Sequence, residues 1–93
     1  MSNRLELEVV LRSIESAFKP LRCVAEDFDY GDKVRFRVFS QSDEPLLRVE
    51  ESLVRRITEP DGLAFIVGEA RRNLEGRGFT LVPWQPPSPS EAT

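Results

Sequence analysis

The 93-residue chain contains no histidine and one cysteine, Cys23. A lone thiol builds no internal disulfide, and without histidine no zinc site can be assembled from Cys and His ligands. The same absence removes the commonest general acid–base group, and with it Ser-His-Asp and Cys-His catalysis. No Gly-x-Gly-x-x-Gly or phosphate-loop pattern occurs, Gly76-Arg77-Gly78 being the nearest approach. Long apolar runs are missing too. The longest covers residues 63–67, against the roughly 18 residues of a membrane-spanning helix. Near the start, Leu5-Glu6-Leu7-Glu8 alternates where a signal peptide needs an unbroken apolar core. A reduced, cytoplasmic setting is expected, with Cys23 a small buried hydrophobe and no membrane association.

What is present fits one small globular domain: 40% hydrophobic and 31% charged residues, with a net charge of −3 from 13 basic and 16 acidic side chains. That balance disfavours nucleic acid and anionic membrane as partners in bulk electrostatic terms. The domain is expected to occupy residues 1–82. A flexible tail, residues 83–93, carries most of the seven prolines.

Residues 4–18 read as an amphipathic helix, because Leu7, Val10, Leu11, Ile14 and Phe18 recur on one face. Asn3 with Glu6 is a helix-start pair and Lys19-Pro20 a stop. Two strands follow, residues 21–28 and 33–40, joined by the turn Asp29-Tyr30-Gly31-Asp32. Pairing Phe28 with Lys33 sets Cys23, Ala25, Asp27, Val34, Phe36 and Val38 on one face, and a one-residue slip would destroy that segregation. After a second turn, residues 41–44, a third strand over 46–51 places Leu47 against Val38 and Val49 against Phe36. An irregular or helical turn then runs through Arg56. Leu46, Val49, Leu53 and Ile57 also fit helical spacing, so a helix over residues 46–57 is the competing reading.

A second helix opens at Thr58-Glu59-Pro60-Asp61, with a capping Thr, Pro in the first turn and early acids. Its stripe is Leu63, Ile66, Val67, Ala70 and Leu74, and Gly76 or Gly78 closes it. Residues 79–82 are a candidate short fourth strand. The predicted class is α+β in the order α-β-β-β-α(-β): an antiparallel sheet of three or four strands with two helices packed on one face.

Under this pairing the outer face gathers Arg22, Arg35, Arg37 and Arg48, with Val24, Phe39 and Leu46 interleaved. Modest apolar surface rimmed by arginine is the composition of a protein interface, and Phe65 on the second helix lies off the core stripe. These eight residues are the candidate interaction surface, with self-association or a protein partner as its purpose. Phe65 packing under residues 52–57 is the structural alternative. Arginine beside an aromatic ring also fits single-stranded nucleic acid, but Glu26 and Glu50 lie where cross-strand ion pairs would neutralise the guanidinium groups. Asp27, Asp29 and Asp32 around Gly31 suggest a calcium loop; Val38 stands where such a loop requires its closing Glu, so turn chemistry accounts for them. No catalytic residue, metal ligand or cofactor is expected, and the Pro83-x-x-Pro86 spacing is ordinary for a proline-rich terminus.

Arg55, Arg56, Arg71, Arg72 and Arg77 concentrate around the second helix, where helix-dipole complementation and solubility are their expected roles. The element order resembles the double-stranded RNA-binding domain, whose second helix opens with a lysine-rich clamp. Here that helix opens with Glu59-Pro60-Asp61, so the resemblance ends at the residues that would bind. Leu46-Leu47-Arg48-Val49, Ile57-Thr58-Glu59-Pro60-Asp61-Gly62-Leu63 and Arg71-Arg72-Asn73-Leu74 are similar to part of a family of short pseudomonad proteins of unknown function. The resemblance covers about a third of the chain and implies a small bacterial cytoplasmic protein with no catalytic centre.

Overall fold

A computed structural model describes residues 5–87. The class is α+β: helix α1 (Leu7–Ser16), strands β1 (Arg22–Phe28), β2 (Lys33–Phe39) and β3 (Pro45–Leu53), a one-turn helix α2 (Val54–Ile57) and helix α3 (Pro60–Gly76). The strands form one antiparallel sheet in the order β1-β2-β3. Its inner face meets the helices.

The apolar stripe of α1 drives Val10 and Ile14 into the core, followed by Ala17 and Phe18 just past the helix end. The helix starts at Leu7, with Glu6 at the cap position and no side-chain cap; Asn3 of the expected start pair lies outside the described residues. Leu5, off the main stripe, is buried, and its N–H donates to the Thr58 carbonyl at 2.7 Å.

Strand pairing follows the side-chain alternation. β1 and β2 run in register from Arg22 opposite Phe39 to Phe28 opposite Lys33, as the segregation of faces requires. Val34, Phe36 and Val38 are sealed on the inner side, and the rings of Phe18 and Phe36 lie 5.7 Å apart at a tilt. In the connecting turn Asp29, Tyr30 and Gly31 all have positive φ, of 56°, 57° and 81°. Gly31 takes this conformation without a Cβ penalty, and Asp tolerates it better than most residues.

β3 places Val49 opposite Phe36 and Leu47 opposite Val38. It continues past Glu51 to Leu53, because two register irregularities, between Val34 and Phe36 and between Val38 and Phe39, absorb its extra length. α2 follows at once, so the helical alternative for residues 46–57 does not form; a helix there would lift Leu47 and Val49 off the inner face. Thr58 does not cap α3. Its hydroxyl donates to the Val54 carbonyl at 2.6 Å and so finishes α2, while Glu59 occupies the cap position ahead of Pro60. Leu63, Val67, Ala70 and Leu74 carry α3 into the core.

Residues 79–82 are not a strand. Leu81 is buried, and the Val82 N–H donates to the Lys19 carbonyl at 3.0 Å, which leads the chain past the end of α1. Trp84 then packs half-buried against the core and donates its indole N–H to the Ser13 carbonyl at 3.1 Å. Residues 88–93 of the proline-rich segment lie outside the described residues. Two arginines of the group around α3 tie elements together. Arg71 donates to the Ala17 carbonyl at the end of α1, and Arg77 to the Leu46 carbonyl in β3 at 2.6 Å.

Candidate interaction surface

Alternate strand residues turn away from the helices and form an open face of four cross-strand rows. Next to the second turn lie Arg22, Phe39 and Pro45; below them come Val24, Arg37 and Arg48. The third row is Glu26, Arg35 and Glu50, the last at the bulge, and the fourth is Phe28, Lys33 and Leu53. Six of the eight residues singled out from sequence meet here: Arg22, Val24, Arg35, Arg37, Phe39 and Arg48.

Most of the charges on this face are paired. Arg22 contacts Asp43 at 2.8 Å and lies over the Phe39 ring at 4.4 Å. Arg35 holds Glu26 at 2.7 Å while covering Phe28 at 4.8 Å. Arg48 reaches Glu50 at 3.2 Å, and Lys33 reaches Glu51 at 2.7 Å and Asp29 at 3.7 Å. The Glu51 hydrogen bond, with the nearby negative charge, raises the Lys33 ammonium above its ordinary pKa. Exposed pairs of this kind each contribute about 0–1 kcal/mol, so their main effect is to set the local charge pattern.

Arg37 differs. It faces Arg48 directly across the strands, and its one close partner among the described residues is the Phe39 ring, 5.9 Å away. Like charges placed opposite one another in a sheet destabilise it. Beside this pair runs a shallow groove of about 430 Å³ lined by Arg37, Phe39, Pro45, Leu46, Leu47 and Arg48. Leu46 sits at the bulge, half-buried against the rim of the core, and so forms the wall of that groove.

Phe65 does not belong to the face. It projects from α3 in the helical layer, 54% exposed, with the Arg56 guanidinium 5.8 Å from its ring. Helical periodicity places Phe65 off the core stripe but cannot say on which side of the molecule it emerges. Phe28, Lys33 and Glu50 were left out of the candidate set although the same alternation puts them on the face.

Elsewhere the chemistry is quiet. Cys23 is buried on the inner face, where desolvation, and then the Glu15 carboxylate, push its thiol up to about 12 from an ordinary 9.0. Among the described residues no group of three Cys, Asp or Glu side chains is arranged to hold a metal ion, and no helix is long and apolar enough to cross a membrane. No protein-family model, curated protein or solved structure matches the chain.

Proposed function

We propose that this protein is a non-enzymatic interaction or regulatory module that engages protein, its own chain or another, through the open face of the sheet. The observation that carries this reading is Arg37, a guanidinium that holds no carboxylate among the described residues and stands beside an apolar-walled groove. A partner that supplies an acid and an apolar side chain would satisfy both features at once.

A nucleic-acid role for the same arginines draws less support. Arg22, Arg35 and Arg48 already hold carboxylates, and Phe39, the ring nearest Arg37, is covered by Arg22. Phosphate contacts would have to displace those partners. Binding through them would fall steeply as salt is added.

Light scattering across micromolar concentrations tests the self-association part, using the wild type and Phe39→Glu. A mass that rises with concentration in the wild type and stays at one chain in the variant is expected. An equal rise in both would remove the open face from the reading, and single chains in both would remove self-association.

A further inference from the structure

Resting on that reading, we infer that the occupant of the open face is an extended segment of another protein, carrying a carboxylate and, two residues away, a large apolar side chain. The carboxylate settles between Arg37 and Arg48, and the apolar side chain enters the groove walled by Phe39, Pro45, Leu46 and Leu47.

Charge singles out the place. Among the described residues, Arg22, Arg35, Arg48 and Lys33 on this face each hold a carboxylate, and Arg37 holds none. The hydrogen-bond alternation also draws Arg37 close to a like charge. Ala25 directs its N–H away from β2, to the Glu15 carboxylate at 3.0 Å. Phe36, opposite Ala25, therefore bonds to β3, and its neighbour Arg37 bonds to β1. Arg37 and Arg48 are thus a non-hydrogen-bonded pair, the kind with Cα atoms about 4.5 Å apart and side chains nearest each other. A single carboxylate lies within reach of both guanidinium groups, whose planar donors match its two oxygens.

The groove has a fixed wall. The register shift between Val38 and Phe39 takes Leu46 out of the regular alternation, and Arg77, at the end of α3, holds the Leu46 carbonyl at 2.6 Å. Bulges often re-aim side chains beside binding sites in this way. Strand pitch sets the spacing of the ligand. Arg37 and Phe39 are two residues apart on β2, about 6.8 Å, and an extended segment lying along β2 has the same repeat. An acid over Arg37 and Arg48 therefore puts the residue two positions along over Phe39 and Pro45. In the other direction lies a smaller hollow of about 220 Å³, lined by Arg35, Arg37, Arg48 and Glu50. Its charged lining does not suit an apolar side chain, so the apolar residue is directed to the Phe39 side.

NMR titration of the isotope-labelled protein tests this, with the acetylated, amidated peptide Gly-Ser-Phe-Ser-Glu-Ser-Gly as the probe. Amide shifts at Arg37, Phe39, Leu46 and Leu47 are expected, with a Kd of about 0.1–1 mM for so small a contact. Arg37→Gln should raise that Kd about tenfold, as should Gln for Glu or Ser for Phe in the peptide. Arg12→Gln removes the same charge from α1 and should leave it unchanged. The spectrum of each variant shows that it is folded. Equal binding by Arg37→Gln, or of the Gln peptide, would overturn the arginine pair as a carboxylate site. No shifts up to about 5 mM peptide would overturn the acidic and apolar segment as occupant. The open face would then survive as a surface only if Phe39→Glu blocks self-association in light scattering. Shifts confined to residues off the open face would overturn both the segment and the face. A single-stranded oligonucleotide that moves the same amides at lower concentration than the peptide would overturn a protein segment in favour of nucleic acid.

Discussion

Arg37 and Arg48 stand directly opposite each other in neighbouring strands, and Glu50 pairs with Arg48. Removing one of two facing like charges relieves a cross-strand repulsion of a few tenths of a kcal/mol, and Thr also suits a strand. Arg37→Thr is therefore expected to raise unfolding free energy by about 0.5 kcal/mol in urea titration while weakening any association through the face. A loss of stability would mean that Arg37 has a stabilising role in the isolated chain.

Gly62 lies where α2 crosses the start of α3. A Cβ there would come 2.1 Å from the Arg56 carbonyl oxygen and 3.0 Å from its carbon. Gly to Ala inside a helix ordinarily gains about 1 kcal/mol. Here the clash is with backbone, so Gly62→Ala is expected to destabilise by about 1–3 kcal/mol. Chemical denaturation gives the sign directly.

Alkaline pH should weaken the fold through Cys23. The native thiol titrates near 12 and the unfolded thiol near its ordinary 9.0. Between those values the unfolded chain has released a proton that the native chain still holds. The contribution is thus complete below about pH 9 and lost at about 1.4 kcal/mol per unit above it. Lys33, whose pKa is also raised, loses its contribution in the same direction at high pH. Comparing wild type with Cys23→Ala in urea melts from pH 8 to about 11 isolates the thiol: the variant should show the shallower decline.

Trp84, the single tryptophan, joins the proline-rich segment to α1 through Ser13. Trp84→Phe keeps most of the apolar contact and loses the indole hydrogen bond, so a cost of about 1 kcal/mol is expected. Trp84→Ala should cost about 2–4 kcal/mol. Tryptophan emission provides a separate check, since the native spectrum should be blue-shifted and move to the red as the chain unfolds.

The register of the sheet was legible because alternation has a period of two: Val34, Phe36 and Val38 share one face of their strand, and a one-residue slip against residues 21–28 would set Arg22, Val24 and Glu26 beside them in place of Cys23, Ala25 and Asp27. The length of β3 was less so, since bulges let a strand carry extra residues without altering its pattern. Residues 79–82 look like a strand in composition, but no strand edge receives them; Val82 bonds instead to Lys19. Least legible were the arginines. Arg71 and Arg77 act through long side chains on carbonyls 54 and 31 residues away in the sequence, and local periodicity carries no trace of such reach. The candidate surface followed the register, so six of its residues lie on the open face, while Leu46 falls at a bulge that alternation does not reveal. Phe65, chosen for its helical position, was not held to that constraint.

The bonds from Val82 to Lys19 and from Trp84 to Ser13 bring the downstream end of the described chain out along α1. That is the side of the molecule opposite Arg37. A fluorophore, affinity handle or surface tether attached at the exposed Gln85 would consequently leave the strands directed toward solution, and immobilised copies would offer the same unobstructed plane to whatever is passed over them.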